Sequence, residues 1–312
     1  MAISTTGMVD YTQGKGKTVI KTIILQGNSM NPAMGLGVEE EVKLTGKVPD
    51  ITAVDCTLQG GKPSDSVATG DDTFVDLDVT NTYVTLHKEY DTYDFDAKVT
   101  KLAKKQGTRS DDDAYLAELV ELTAMQLTQE NDKMLWLGDT TGAGNLALFD
   151  GFVKEIKAGS PIKTGSAAVK LDSSNAVAEV EKVVNKMVDS LPAFLSIKTR
   201  LFMSPEGFFN YRRALEKQNV AVDKNTKEQD ANIDSIQIPG TNVWATSVAG
   251  LAGSNELILT RPENIKPITD LVSEDTKITL EYLVEGRKYR LLAVYKLGAK
   301  VARVNECVIA AV

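Results

Sequence analysis

Apolar and polar residues recur with a clear period in only part of this 312-residue chain, and those parts set the expected elements. The strongest signal predicts a helix over 110–137. Ser110 and Asp113 form an S-x-x-D cap, the acids Asp111 to Asp113 suit the positive end of a helix dipole, and Gly138 follows as a stop. Leu116, Leu119, Val120, Leu127, Met134 and Leu135 recur at helical spacing. At ~1.5 Å per residue this is a rod of roughly 40 Å, far longer than an average globular helix. A second helix is predicted over 176–190, where Val177, Val180, Val183, Val184 and Met187 share a face, with a stop near Pro192. The strand RLFMS leads into a third, short helix, EGFFNYRRALEK, entered through Ser204 and Pro205, a good cap followed by a residue suited to the first turn.

Alternation with period two marks the strands. TFVDLDVTN and YVTLHKEY lie on either side of Asn81 and predict a long two-stranded excursion, preceded by a polar tip, GGKPSDSVATGDD, too poor in apolar residues to pack a core of its own. IDSIQI, NVWATSV and NELIL follow the third helix. The tail predicts three more strands, KITLEYLV, YRLLAVYK and ARVNECVIA. No regular βαβ repeat is present, so the fold class is α+β. Residues 1–50 mix two β-like runs, Thr18 to Leu25 and Glu41 to Leu44, with the glycine-rich GNSMNPAMGLG, and read as an arm that needs something to lie on.

Charge and rare residues narrow the chemistry. With 35 Lys and Arg against 43 Asp and Glu, a net charge of -8 and no block of five like charges, the chain has no basic tail, so tight binding of nucleic acid is not expected. No apolar run is long enough to span a bilayer and the first residues carry no secretion signal, so a soluble intracellular product is expected. The two cysteines, Cys56 and Cys307, stand far apart and read as small buried residues. A single histidine, His87, removes His-rich metal sites, weakens any Ser-His-Asp argument, and reads as a cross-strand packing residue.

The local motifs also have plain readings. GKGKT at Gly14 to Thr18 lacks the first glycine of a P-loop and runs into a strand-like segment. The G-x-G-x-x-A of Gly142 to Ala147 follows a helix instead of a strand, which makes its glycines turn residues. Asp71, Asp72, Asp76 and Asp78 lack calcium-loop spacing and fit a solvated strand face. Phe208, Phe209 and Tyr211 beside Arg212 and Arg213 fit an amphipathic helix with three of the five facing the core, and Trp136 fits a packing anchor. No cofactor or metal is expected, and no catalysis, because titratable residues do not converge.

The order of elements resembles the major capsid proteins of tailed bacteriophages, with their Hong Kong 97-type coat fold. The segments that carry the resemblance are the long helix with its glycine loop, DDDAYLAELVELTAMQLTQENDKMLWLGDTTGAGNLALFDG; the helix NAVAEVEKVVNKMV followed by RLFMSPEGFFNYRRALEK; IPGTNVWATSVAGLAGSNELILT; and KITLEYLVEGRKYRLLAVYKLGAKVARVNECVIAAV. The resemblance covers roughly Asn81 to the C-terminus. It implies an N-terminal arm (1–50), an extended loop (51–97), a peripheral domain (98–174) with the spine helix 110–137, an axial domain (175–270) and return strands to the peripheral domain (271–312). It also implies a non-enzymatic shell subunit of a phage head, made in the host cytoplasm. Its partners would be copies of itself in hexamers and pentamers, separate scaffolding, portal and decoration proteins, and packaged DNA touched weakly and without sequence preference. An encapsulin-like compartment shell is the alternative of the same fold, and a soluble α+β enzyme the alternative of another class. The expected subunit-interface residues are Lys62, Phe74 and Val79 in the extended loop, and Arg212 and Arg213 on the short helix.

Overall fold

The computed structural model describes residues 28–30, 34–53, 73–91, 113–218, 234–270, 277–283, 286 and 288–312. In chain order the elements are strands β1 (Thr45–Ala53), β2 (Thr73–Thr80) and β3 (Thr82–Asp91), helices α1 (Asp113–Leu137) and α2 (Phe152–Ala158), the short strand β4 (Ile162–Lys163), helix α3 (Ala176–Ser190), strand β5 (Thr199–Met203) and helix α4 (Pro205–Lys217). Then come β6 (Ser235–Gln237), β7 (Val243–Ser247), β8 (Ile258–Thr260), β9 (Ile265–Thr269), β10 (Lys277–Leu283), β11 (Lys288–Val301) and β12 (Val308–Ile309). Mixed helices and sheets confirm the α+β class.

Three sheets organise these strands. A six-stranded sheet of order β4-β12-β8-β5-β7-β6 divides two cores. Because successive strand residues point to opposite faces, β5 sends Leu201 and Met203 into one core and Phe202 into the other, and β12 does the same with Val308 against Ile309. The first core holds Met134, Leu135 and Trp136 of α1, Phe152 and Ile156 of α2, and the inward row of β11 from Tyr289 to Tyr295. The second is built by Val180, Val183, Val184 and Met187 of α3 with Phe208, Tyr211 and Leu215 of α4. The α3 face is the one its apolar spacing predicts, except that Val177 is only partly buried. Ser204 caps α4, its Oγ accepting from the Gly207 N–H at 3.2 Å, with Pro205 in the first turn. Ser204→Ala should therefore lower stability by about 1 kcal/mol in denaturant titration, with the fold intact.

The second sheet pairs β10 and β9 with one side of β11 and β3 with the other, all antiparallel. The third is the two-stranded ribbon β1–β2, running from Thr45↔Thr80 to Ala53↔Thr73.

Several expectations are corrected here. β2 and β3 are not partners around Asn81: β2 pairs with β1, and β3 is built into the sheet through β11. Asn81 is the pivot between them. It is buried, its N–H donates to the Leu44 carbonyl and its side-chain amide to the Val42 carbonyl, which joins the foot of the ribbon to the sheet. The 41–44 run is not a strand, since β1 starts at Thr45, and Glu41 has a positive φ of 74°. The end of the arm is also not coreless: Met30 and Met34 are buried in the first core, and 37–39 runs beside β9 with Gly37 N donating to Ile265 O and Glu39 N to Pro267 O. The last predicted strand is a 3₁₀ turn at Val304–Glu306 followed by the two residues of β12, which join the six-stranded sheet instead of returning to the one containing β11. His87 faces solvent on β3, 3.6 Å from Glu89, because its register partner Leu292 lies on the outer side of β11.

The long helix is described from Asp113, so the Ser110 cap lies outside the described residues, as do the side chains of Leu116, Leu119 and Val120. The 18–25 run, GKGKT, Cys56, Asp71 and Asp72 lie outside them as well.

Candidate subunit-interface surfaces

The C-terminal end of α1 is where the parts of the chain are tied together. Trp136 is fully buried, edge-on to Phe152 at a centroid distance of 5.2 Å and tilted against Phe202 of β5 at 5.1 Å. Its Nε1–H donates to Ser29 Oγ at 2.7 Å, while Ser29 N donates to Asp132 Oδ1 at 3.2 Å. The 3₁₀ turn Ala249–Leu251 presses on the same side, and Gly250 is required there because a Cβ would collide with the Asp132 carbonyl and the Trp136 ring. One indole thus joins the arm, the long helix and the six-stranded sheet, which makes the expected packing anchor a three-way junction.

Beyond Gly138 the loop folds back on the helix end. Gly138 and Gly151 approach so closely that a Cβ on Gly151 would lie 2.7 Å from the Gly138 nitrogen. The glycines of the G-x-G-x-x-A segment do form turns: Gly142 N donates to Asp139 O, and Gly144 opens a 3₁₀ turn at φ 71°. Lys154 of α2 clamps the loop, with Nζ 2.7 Å from both Asp139 Oδ1 and Asp150 Oδ1, and Thr140 and Thr141 donate to the same two carboxylates. The Lys154 ammonium, followed by the Thr141 and Thr140 donors, holds both carboxyls below the ordinary aspartate range. The folded-state values lie below the unfolded ~3.9, so the clamp contributes fully above about pH 5 and is lost progressively as pH falls below ~3.9 and through the depressed folded-state values. Amide exchange of 140–150, corrected for intrinsic rates, should show protection that disappears in acid. In Lys154→Met it should be weak already at pH 7 and nearly independent of pH.

The exposed surfaces follow from what the tie leaves uncovered. The β1–β2 ribbon has no strand on either outer edge among the described residues, and only its foot is packed, through Val48 and Val79 against Ile268 of β9. Val79 is 1% exposed, so it is a hinge-foot residue of its own chain and not an interface residue. Further out, Val75 is exposed, and Asp76 pairs loosely with Lys47 at 3.6 Å on the opposite face, the solvated face expected for Asp76 and Asp78. Phe74 stands opposite Ile51 in the register, its side chain outside the described set, and Lys62 lies outside the described residues altogether.

On α4 only Phe208 and Tyr211 of the five singled-out residues are buried; Phe209 is 59% exposed, because consecutive helix positions are 100° apart and Phe208 takes the inward one. The Arg213 guanidinium lies 5.9 Å from the Phe209 ring centroid, and Arg212 pairs with Glu216 at 3.5 Å. Here one exposed ring lies under one guanidinium, beside an arginine already paired with a glutamate.

Two features escaped the periodicity argument. Leu122 and Met125, on the back of α1, are 55% and 58% exposed. A cleft of ≈ 450 Å³ between α1 and β3 is lined by Val84, Leu86, Leu127, Met134, Leu148 and Tyr295 with several polar residues. β3 has no strand on its outer edge among the described residues. A second cavity, ≈ 270 Å³ at the start of α4, is lined by Lys170, Ser204, Glu206, Ser254 and Glu256, and there Ser204 Oγ accepts from the Gly207 N–H as the helix cap. Among the described residues no group of three His, Cys, Asp or Glu is placed to hold a metal ion, and no helix is long and apolar enough to cross a membrane. Cys307 is buried, and that burial pushes its thiol up to about 12, so it is unreactive at neutral pH.

No protein-family model and no curated protein matches the sequence. Solved structures do match in fold. A chain of the satellite phage P4 procapsid aligns with a TM-score of 0.58 at 8% identity, over 94% of this chain and 98% of the other. The capsid of cyanophage A-1(L) gives 0.56 at 9% identity, over 97% and 95%. The capsid of an empty GTA particle gives 0.55 at 12% identity, over 91% and 90%. Identities this low carry a likeness of fold, but the likeness spans nearly the whole length of every chain compared. The chain therefore has the Hong Kong 97-type coat fold of tailed-bacteriophage capsid proteins.

Proposed function

We propose that this chain is a major capsid protein that assembles, through hexamers and pentamers of itself, into the icosahedral head shell around the double-stranded DNA of a tailed bacteriophage. The observation that carries the reading is the β1–β2 ribbon. Among the described residues it is held to its own chain only at the foot, and it stands on a fold whose near full-length counterparts form phage and GTA capsids. A ribbon with two open edges is a hazard for a solitary protein and a connector for one that always sits beside copies of itself. The uncovered back of α1, the α1–β3 cleft and the Phe209 patch supply further apolar surface for such neighbours. In this reading the region around the first core is the peripheral domain, and the six-stranded sheet with α3 and α4 the axial domain.

The role is structural and not catalytic, and the location is the virion after synthesis in the host cytoplasm. Scaffolding, portal and decoration proteins are separate partners. Packaged DNA is touched weakly and without sequence preference, in keeping with a net charge of -8 and with Arg212 already paired. Negative-stain microscopy of the expressed chain, alone and with its neighbouring genes, tests the reading. Closed shells or capsomer rings are expected; a strict monomer under every condition, with cleft residues that turn over a small molecule, would overturn it.

A further inference from the structure

A peptide bond from aspartate to glycine is chemically reactive, because glycine has no side chain to keep its amide nitrogen away from the preceding carboxyl. Asp150–Gly151 is the one place in the 312-residue sequence where Asp or Asn precedes Gly. The fold requires both residues. Gly151 is buried against the end of α1, where a Cβ would lie 2.7 Å from the Gly138 nitrogen, 2.8 Å from the Leu135 carbonyl oxygen and 2.9 Å from that of Met134. Asp150 Oδ1 accepts from the Thr140 N–H at 2.8 Å, from Thr140 Oγ1 at 2.7 Å and from Lys154 Nζ at 2.7 Å, and so ties the loop to α2.

We propose that Asp150–Gly151 is a covalent ageing site of the chain, a bond that isomerises to isoaspartate when the Lys154 clamp opens and is preserved while the clamp is closed. In the reaction the Gly151 nitrogen attacks Cγ of the protonated Asp150 carboxyl, and the Gly151 proton departs with the carboxyl hydroxyl as water, leaving a five-membered succinimide. Water then opens the ring. Its attack on the main-chain carbonyl carbon breaks the bond from that carbon to the Gly151 nitrogen and restores the N–H, so Gly151 stays attached through the side-chain carboxyl carbon, with no net change in mass. Both reacting groups are disarmed in the closed clamp. The Gly151 N–H donates to the Gly138 carbonyl at 2.9 Å within the helix-end packing. The carboxyl is turned to Thr140 and Lys154, and the Lys154 ammonium, followed by the Thr140 N–H, holds it ionised, the form from which a hydroxyl cannot leave. Burial is not the protection, since the Asp150 side chain is 41% exposed and water reaches it. Isomerisation would insert an extra backbone atom beside a glycine with no room even for a Cβ, so the modified chain could not remake the contact between Gly138 and Gly151.

The test is to age the full chain at neutral pH and 37 °C and to follow isoaspartate at position 150 by peptide mass spectrometry with electron-transfer fragmentation, which distinguishes the two isobaric forms. A synthetic peptide of residues 146–154, LALFDGFVK, gives the unrestrained rate. The wild-type chain should isomerise many-fold more slowly than this peptide. Lys154→Met should isomerise several-fold faster than wild type, because reaction of an opened segment follows the population of the open form. Lys154→Arg, which restores a cation, should return to the slow rate. Trp136 fluorescence shows whether each variant is folded. If Lys154→Met is not, Thr140→Val, which keeps the lysine and removes one donor to the carboxylate, decides in its place and should also isomerise faster than wild type. Equal rates for the wild-type chain and the free peptide would overturn the proposal, as would a folded Lys154→Met, or Thr140→Val in its place, that isomerises as slowly as wild type.

Discussion

Replacing Trp136 by alanine is expected to cost about 3–5 kcal/mol, the range for removing a fully buried large aromatic side chain, and to remove most soluble folded protein at 37 °C. The indole packs on Phe152 and Phe202 and holds Ser29, so its loss opens a cavity where three parts of the chain meet. Trp136→Phe keeps part of the ring packing, leaves a smaller cavity and removes the hydrogen bond to Ser29, so it should cost less than the alanine change, about 1–3 kcal/mol. Denaturant titration of the two variants separates these contributions. Near-equal midpoints would show that the ring packing is not what holds the junction. Loss of Trp136 should also release the arm, seen as new protease cleavage next to Ser29, while the second core around α3 and α4 loses stability only indirectly.

The second large effect is expected at Lys296. Its ammonium lies 2.8 Å from the Asp270 carboxylate with both side chains almost fully buried, 4% and 3% exposed, and 5.1 Å from the Tyr83 ring centroid. The pair joins β11 to the end of β9, one step beyond the register pair Leu297↔Thr269. Lys296→Met alone leaves a carboxylate buried without this cation and should cost about 3–5 kcal/mol, whereas Lys296→Met together with Asp270→Leu should recover most of that loss. The comparison is a double-mutant cycle in chemical denaturation. If the double variant is as unstable as the single one, the cost comes from packing of the lysine stem and not from an uncompensated charge.

How far the sequence was legible varies with the kind of signal. α3 and α4 begin and end close to where apolar spacing and the Ser204–Pro205 entry place them, since these are local signals confirmed by local contacts. The strands β7, β8 and β11 were visible by alternation. β9 was not, because IKPIT carries a proline and follows the turn-like RPEN; its pairing with β11 on one side and residues 37–39 on the other overrides that weak propensity. α2 was hidden by its seven residues, too few for a period to show. Among the candidate interface residues, Arg212 and Arg213 were correctly placed on the surface of a helix, but Val79 was not available, because alternation predicts that a strand has an apolar face without saying whether the same chain covers it.

Local patterning alone determined the α+β class, the long helix with its glycine stop and the order of the major elements, because these depend on residues close together in the chain. Tertiary structure decided what each strand pairs with. Thr82 to Asp91 alternates as well as Thr73 to Thr80 does, yet one became the edge of a sheet through β11, about two hundred residues away, and the other half of a projecting ribbon. Only the fold could bring Ser29 to Trp136 and Asp270 to Lys296, since a hydrogen bond or ion pair between distant positions leaves no periodic trace in the sequence. The same holds for Leu122 and Met125: their hydrophobicity is written in the chain, but their exposure depends on which face of the helix the rest of the fold packs against.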